Sequence, residues 1–114
     1  MEFSRQSLQD ALPAIQHLFT QHWEELANDK ETVPLDVDYE FYQKVEEAGL
    51  LRIYVAWDGL EAVGYTIWVV YRHPRYKSLL MAKDEIFWLH PSYRKSGNGV
   101  ALFSFSEQAL RSEG

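Results

Sequence analysis

The stretch from Leu50 to Tyr71 leaves this chain the fewest ways to fold. Leu51 to Trp57 sets Ile53 and Val55 in a β-branched run, and Asp58-Gly59 follows as a turn. Ala62 to Tyr71 then runs long and rich in Val, Ile, Trp and Tyr. Two such runs around Asp-Gly form an antiparallel hairpin. The other elements assemble around it. Met1 to Ser7 reads as a short first strand, and Ser7 and Asp10 are both plausible N-caps of a helix with Pro13 in its first turn. The apolar positions Ile15, Leu18, Phe19, Trp23 and Leu26 fall three and four apart, one face of an amphipathic helix.

Asn28 to Asp38 is a polar connection broken by Pro34. Asp38 can cap a second helix carrying Phe41, Val45 and Ala48, with Gly49 as its stop. Beyond the hairpin, Arg72 to Ser78 is a basic loop broken by Pro74. Leu79 to Leu89 is a further strand with a polar triplet, Lys83-Asp84-Glu85, inside it, and His90-Pro91 ends it. A last helix carries Val100, Leu102, Phe103, Phe105 and Leu110. The expected order is β-α-α-β-β-β-α, a mixed α/β arrangement.

A chain of 114 residues forms one domain, 1–114, and can bury roughly two thirds of its unfolded surface. The longest apolar runs, such as Tyr65 to Tyr71, are far shorter than the ~20 residues a spanning helix needs. There is no cysteine, so thiol catalysis and zinc–thiolate sites are excluded, and a cytoplasmic setting is the default expectation. No metal-ligand spacing relates His17, His22 and His90, and no metal is expected. The net charge of −6 is uneven: Met1 to Trp57 carries 11 acids against 4 bases, and Asp58 to Gly114 carries 6 against 7. A general nucleic-acid binder shows a basic excess, which argues against that class. An anionic ligand belongs with the second half, and the acidic first half suits a cationic substrate or is simply a solvated surface.

The segment from Leu89 to Leu102 carries the chemistry. It is a strand end, a turn, a loop with Gly97 and Gly99, and a helix start. Glycines let backbone approach a ligand closely, and the first N–H groups of a helix favour an anion, most often phosphate. Arg94 and Lys95 add full charges beside them. No Lys-Ser/Thr follows the second glycine as in a Walker A loop, and the third glycine of a dinucleotide fingerprint is missing.

Arg94-Lys95-Ser96-Gly97-Asn98-Gly99 resembles the Arg/Gln-x-x-Gly-x-Gly/Ala signature of the GNAT superfamily of N-acetyltransferases. The lead-in from Leu89 to Arg94 and the element order resemble that family too. The resemblance implies a GNAT-like fold around a central, mostly antiparallel sheet. It is truncated at the C-terminus, where the family continues with a fifth strand, a helix and two more strands. It further implies acetyl-CoA as co-substrate, transferring acetyl to a primary amine of a small molecule or protein. The amides of Lys95, Ser96, Gly97, Asn98, Gly99 and Val100 would hold the pyrophosphate, with Arg94 beside them. The main chain of Phe87, Trp88 and Leu89 would pair with the pantetheine arm, and an N–H near Leu89 would steady the thioester oxygen. Asp84 and Glu85 are the candidate bases, of which one can face the cleft. Tyr65, Tyr71, His73 and Tyr76 are candidates for shaping the acceptor pocket or are structural. A partner chain or second copy could pair on the exposed edge of the fourth strand, and a non-catalytic interaction module is the alternative function.

Overall fold

The computed structural model describes residues 1–26, 37–76, 78–95 and 97–113. The first strand, β1 (Glu2–Gln6), leads into α1 (Leu8–Leu26), capped where the Ser7 hydroxyl accepts the Asp10 N–H at 3.2 Å. Of the two expected caps, the earlier one acts. Pro13 consequently sits past the first turn rather than within it, and the Gln9 carbonyl loses its intrahelical donor on an exposed stretch of helix. Helix α2 (Tyr39–Glu47) begins where the Asp38 carboxylate accepts the Phe41 N–H at 2.9 Å. It ends before Gly49, whose φ of 76° lies in the left-handed region that a helix stop uses. The polar connection expected over Asn28–Asp38 lies outside the described residues up to Asp36.

The hairpin forms as expected, with β2 (Leu51–Asp58) and β3 (Glu61–Arg72) turning at Gly59, φ 63°. Strand β4 (Leu80–Leu89), a single 3₁₀ turn over Pro91–Tyr93 and helix α3 (Asn98–Ser112) complete the order. The sheet is antiparallel throughout, in the order β1-β2-β3-β4. Two irregularities break its register. Trp57 pairs with Ala62 and Ala56 with Gly64, so Val63 is extra. Ile67 pairs with Ile86 and Trp68 with Asp84, so Glu85 is extra. Each is a β-bulge, where side-chain alternation is interrupted and the strand bends.

Both faces of the sheet are covered, so β3 is buried almost continuously from Ala62 to Val70. On one face Ile15, Leu18 and Phe19 of α1 pack on Ile53, Val55, Tyr65, Ile67 and Trp88. On the other, Leu102 of α3 packs on Ala56, Val63 and Leu89. A buried polar string registers α3 on β3. The Thr66 and Ser106 hydroxyls lie 2.9 Å apart, the Trp68 indole donates to Thr66 at 3.0 Å, and Ser106 donates to the Leu102 carbonyl at 2.9 Å. At the far end of α3, Glu113 accepts both Arg52 Nε contacts, at 2.9 and 3.1 Å.

Candidate functional site

Among the described residues, the last part of β4 has a neighbouring strand on one side only. The His90 N–H donates to the Val63 carbonyl at 2.8 Å, which makes Leu89 and Gly64 a non-hydrogen-bonded pair of the antiparallel ladder. Alternation then sends the N–H and C=O groups of Phe87 and Leu89 toward the free edge and those of Trp88 toward β3. Of the three residues expected to offer main chain to a ligand, only Phe87 and Leu89 turn theirs to the free edge. One of their groups is already engaged, because Arg94 Nε donates to the Leu89 carbonyl at 2.7 Å.

Beyond Leu89 the chain turns sharply. The His90 ring accepts the Ser92 N–H at 3.1 Å, and the Tyr93 hydroxyl donates to Asp58 at 2.7 Å, tying this turn to the β2–β3 hairpin. Gly97 adopts φ 75° and caps α3 without any side-chain bond to the helix amides. A side chain would strain this conformation, which accounts for the first glycine. The second has another reason. A Cβ on Gly99 would meet nothing within 4 Å, so no part of the chain excludes a side chain there. Among the described residues no side chain caps this helix start, and one with open space beside it is what an anionic ligand approaching the backbone needs. Lys95 is exposed at its entrance and Val100 is 73% exposed on the first turn. Ser96 lies outside the described residues.

The expected bases separate. Asp84 is paired with Trp68, whose ring meets Phe103 of α3 at 5.5 Å, so Asp84 shares the α3 face. Glu85 occupies the bulge and is exposed. Burial, and after it the charge of Glu85, raises the phenol of Tyr42 on α2 above its ordinary value, which sets Glu85 within electrostatic reach of the α2 side. Tyr65 is not part of an open pocket: it is fully buried, and burial drives its phenol far above the usual range, so it remains protonated. Tyr71, His73 and Tyr76 gather at the opposite end of β4 from the glycine loop. There His73 meets Tyr76 at 5.1 Å and accepts the Arg75 N–H.

A cluster that sequence reasoning missed lies under the loop. His22 of α1 stacks on Trp88 at 5.8 Å and its Nδ1 lies 3.2 Å from the Tyr65 hydroxyl. Burial lowers the His22 pKa below its ordinary value; Glu25 opposes this and Arg94 assists it. Glu25 accepts Arg94 Nη2 at 2.6 Å and the Trp88 indole N–H at 3.3 Å. The Arg94 guanidinium also lies 5.9 Å from the Trp88 ring centroid. Hydrogen bonding to Arg94 holds the Glu25 carboxyl below the usual carboxylate range. These partners lie 63 and 69 positions apart, and no local pattern links them. Among the described residues no His/Asp/Glu group could hold a metal, and no helix is long and apolar enough to cross a membrane.

No protein-family model matches this sequence, and no curated protein matches it. Solved structures do. A ribosomal-protein-alanine N-acetyltransferase from Brucella melitensis biovar Abortus 2308 superposes with a TM-score of 0.76 at 16% identity, over 97% of this chain and 72% of that one. The fold is that of the GNAT acetyltransferases. An aminoglycoside acetyltransferase from an uncultured soil metagenomic sample, solved with sisomicin, shares the GNAT fold at a TM-score of 0.74 and 18% identity, over 99% and 71% of the two chains. A predicted acetyltransferase from Clostridium acetobutylicum, solved with acetyl-CoA, does so at 0.74 and 12%, over 98% and 74%. In the GNAT arrangement seen here, the glycine loop, the free edge of β4 and the bulge at Glu85 follow one another along a single strand, loop and helix.

Proposed function

We propose that this chain is an acetyl-CoA-dependent N-acetyltransferase, with the coenzyme along the free edge of β4 and its pyrophosphate at the start of α3. The observation that carries this reading is Gly99 facing open space on a helix start that no side chain caps. Bound acetyl-CoA would supply an activated acetyl group. The chain's own part is to hold it and to handle a proton. Amides from Lys95 to Val100 and the charges of Arg94 and Lys95 suit the phosphates. The edge N–H groups of Phe87 and Leu89 are the dipoles available to steady a carbonyl oxygen. Glu85 is exposed at the bulge beside that edge, and we take it as the base that accepts the proton of an ammonium substrate. Asp84, on the α3 face, is the less favoured base. The acceptor is a primary amine of a small molecule or protein, in keeping with the ribosomal-protein-alanine and aminoglycoside acetyltransferases among the similar structures. A cytoplasmic setting belongs to the same reading.

Thermal unfolding with CoA or acetyl-CoA tests this. Ligand at 100 times its dissociation constant stabilises a fold by about 2.7 kcal/mol, and Gly99→Asp should abolish that gain while leaving the unliganded melt in place. No stabilisation of the wild-type chain by millimolar CoA would end the proposal. Glu85→Gln should keep the CoA shift and lose acetyl transfer; full turnover in that variant would remove Glu85 from the chemistry.

The free edge of β4 supports a second reading, a non-catalytic interaction module. Leu80 and Phe87 beside that edge are 45% and 38% exposed, and an unpaired strand is a template for another chain. Mass measurement in solution separates the two: a monomer that binds CoA favours the enzyme, and a dimer lost on Phe87→Lys substitution favours the module.

A further inference from the structure

We propose that Glu25 of α1 is a positioning residue for the phosphate site, acting by holding Arg94 across Trp88 and against the end of β4; this rests on the acetyl-CoA reading above. Arg94 opens the glycine loop, and a free arginine there would sample many rotamers. Here its guanidinium is fixed from three directions. Nε donates to the Leu89 carbonyl at 2.7 Å, Nη2 donates to Glu25 at 2.6 Å, and the group lies 5.9 Å from the Trp88 ring centroid. Glu25 is itself oriented, because the same oxygen accepts the Trp88 indole at 3.3 Å. His22, one turn earlier on α1, stacks on the other partner of that contact, the Trp88 ring, at 5.8 Å.

The two bonds use two of the five N–H donors of a guanidinium, which leaves the remainder for an incoming phosphate. Side-chain exposures of 41% for Arg94 and 37% for Glu25 keep that remainder within reach of solvent and ligand. A preoriented guanidinium binds phosphate without first losing rotamer freedom, which is where the affinity gain lies. Glu25 does not touch the ligand; it acts through Arg94. The arrangement also ties a helix of the acidic half of the chain to the glycine loop of the other half.

Amide NMR titrations with CoA, and with pantetheine as a phosphate-free probe, test this on wild type, Glu25→Ala, Glu25→Gln, Arg94→Ala and the double variant. Glu25→Ala should weaken CoA about tenfold, leave pantetheine unchanged and lose the resolved Arg94 Nε–H signal. Glu25→Gln, which still offers an acceptor oxygen, should stay within about threefold of wild type. The double variant should bind CoA no more weakly than Arg94→Ala, since one residue acts through the other. Additive losses would overturn the proposal, as would equal weakening of pantetheine or unchanged CoA affinity in Glu25→Ala. Should Glu25→Ala fail to fold, Glu25→Lys takes its place, with the same loss of CoA affinity, unchanged pantetheine and lost Arg94 Nε–H signal expected. Absence of CoA binding by wild type overturns the enzyme reading instead, and this inference with it.

Discussion

Replacing Gly64 by alanine should destabilise the fold by about 1–2 kcal/mol, and the strain should fall on the end of β4. Gly64 pairs with Leu89 on the α3 face. A Cβ built there would lie 2.6 Å from Leu89 Cδ1, 2.9 Å from the Trp88 carbonyl oxygen and 3.2 Å from Leu89 Cα. Relaxed contacts between carbons need about 3.5–4.0 Å, so both carbon contacts are short by about 0.3 Å or more, and the oxygen is nearer than Cβ atoms ordinarily approach. Leu89 cannot simply swing aside, because it is 3% exposed and packs on the fully buried Leu102. The other two atoms are backbone, so β4 itself must shift. Overpacking of this kind costs about 1–3 kcal/mol. The smaller entropy of an unfolded chain with Ala in place of Gly offsets about 0.4–1 kcal/mol of that. With a urea slope of about 1–3 kcal/mol/M, the midpoint followed by tryptophan fluorescence should fall by roughly 0.5–1 M. Amide exchange at His90, whose N–H bonds to Val63, should accelerate in step. Gly99→Ala is the control, since its Cβ meets nothing and the fold should lose no stability. An unchanged or raised midpoint for Gly64→Ala would show that the strands part freely, and the close approach would not be why glycine stands there.

Two further outcomes concern a buried hydroxyl and a half-buried imidazole. Thr66→Val keeps the side-chain shape but strips the Trp68 indole and Ser106 of a shared partner, and should cost about 1–3 kcal/mol by urea unfolding. A loss below about 0.5 kcal/mol would mean the string carries no strength. For His22, burial depresses the folded-state pKa below the unfolded value of about 6.5. The unfolded chain then binds more protons between those two values, so stability is full above about pH 7 and declines as pH falls through about 6.5. His22→Phe should flatten that part of the melting-temperature profile, and an unaltered slope would assign it elsewhere.

The elements were largely legible because each is written in a local period. The three-and-four spacing from Ile15 to Leu26, the Asp58-Gly59 turn, the stop at Gly49 and the glycine start at Gly97 all need only near neighbours to be read. The glycine loop was legible for the same reason, and the similar solved structures bear out the fold inferred from it. Where the structure adds to the sequence, the cause is pairing across the chain. The bulge at Glu85 is a mismatch between two strands, and neither strand alone records it. Adjacency on a strand already parts Asp84 from Glu85; the register beyond the bulge is what puts Asp84 on the α3 face. Ser7 outcompetes Asp10 as the cap because the first strand ends at Gln6 and Leu8 must already be inside, buried against the core and donating its N–H to Glu46. Gly64 is an unremarked residue in a run of apolar ones until Leu89 is placed against it. Glu25 reads as one more acid on a solvated helix until the loop 69 positions later brings Arg94 to it.

The hydroxyl pair of Thr66 and Ser106 makes a fulcrum of the middle of α3. Asn98 lies about 12 Å to one side of Ser106 along the helix and Ser112 about 9 Å to the other, at 1.5 Å per residue. The short arm ends at Glu113, moored to Arg52, whose side chain is only 16% exposed. A helix pivoting on its centre moves its two tips oppositely, so slackening that mooring by about 1 Å swings the glycine-bearing tip by slightly more. A pivot of that kind would re-aim the amides at Gly97 and Gly99 from the far end of the helix, against the hold of the buried Leu102. A substitution at Arg52 can retune that aim without altering any residue of the loop.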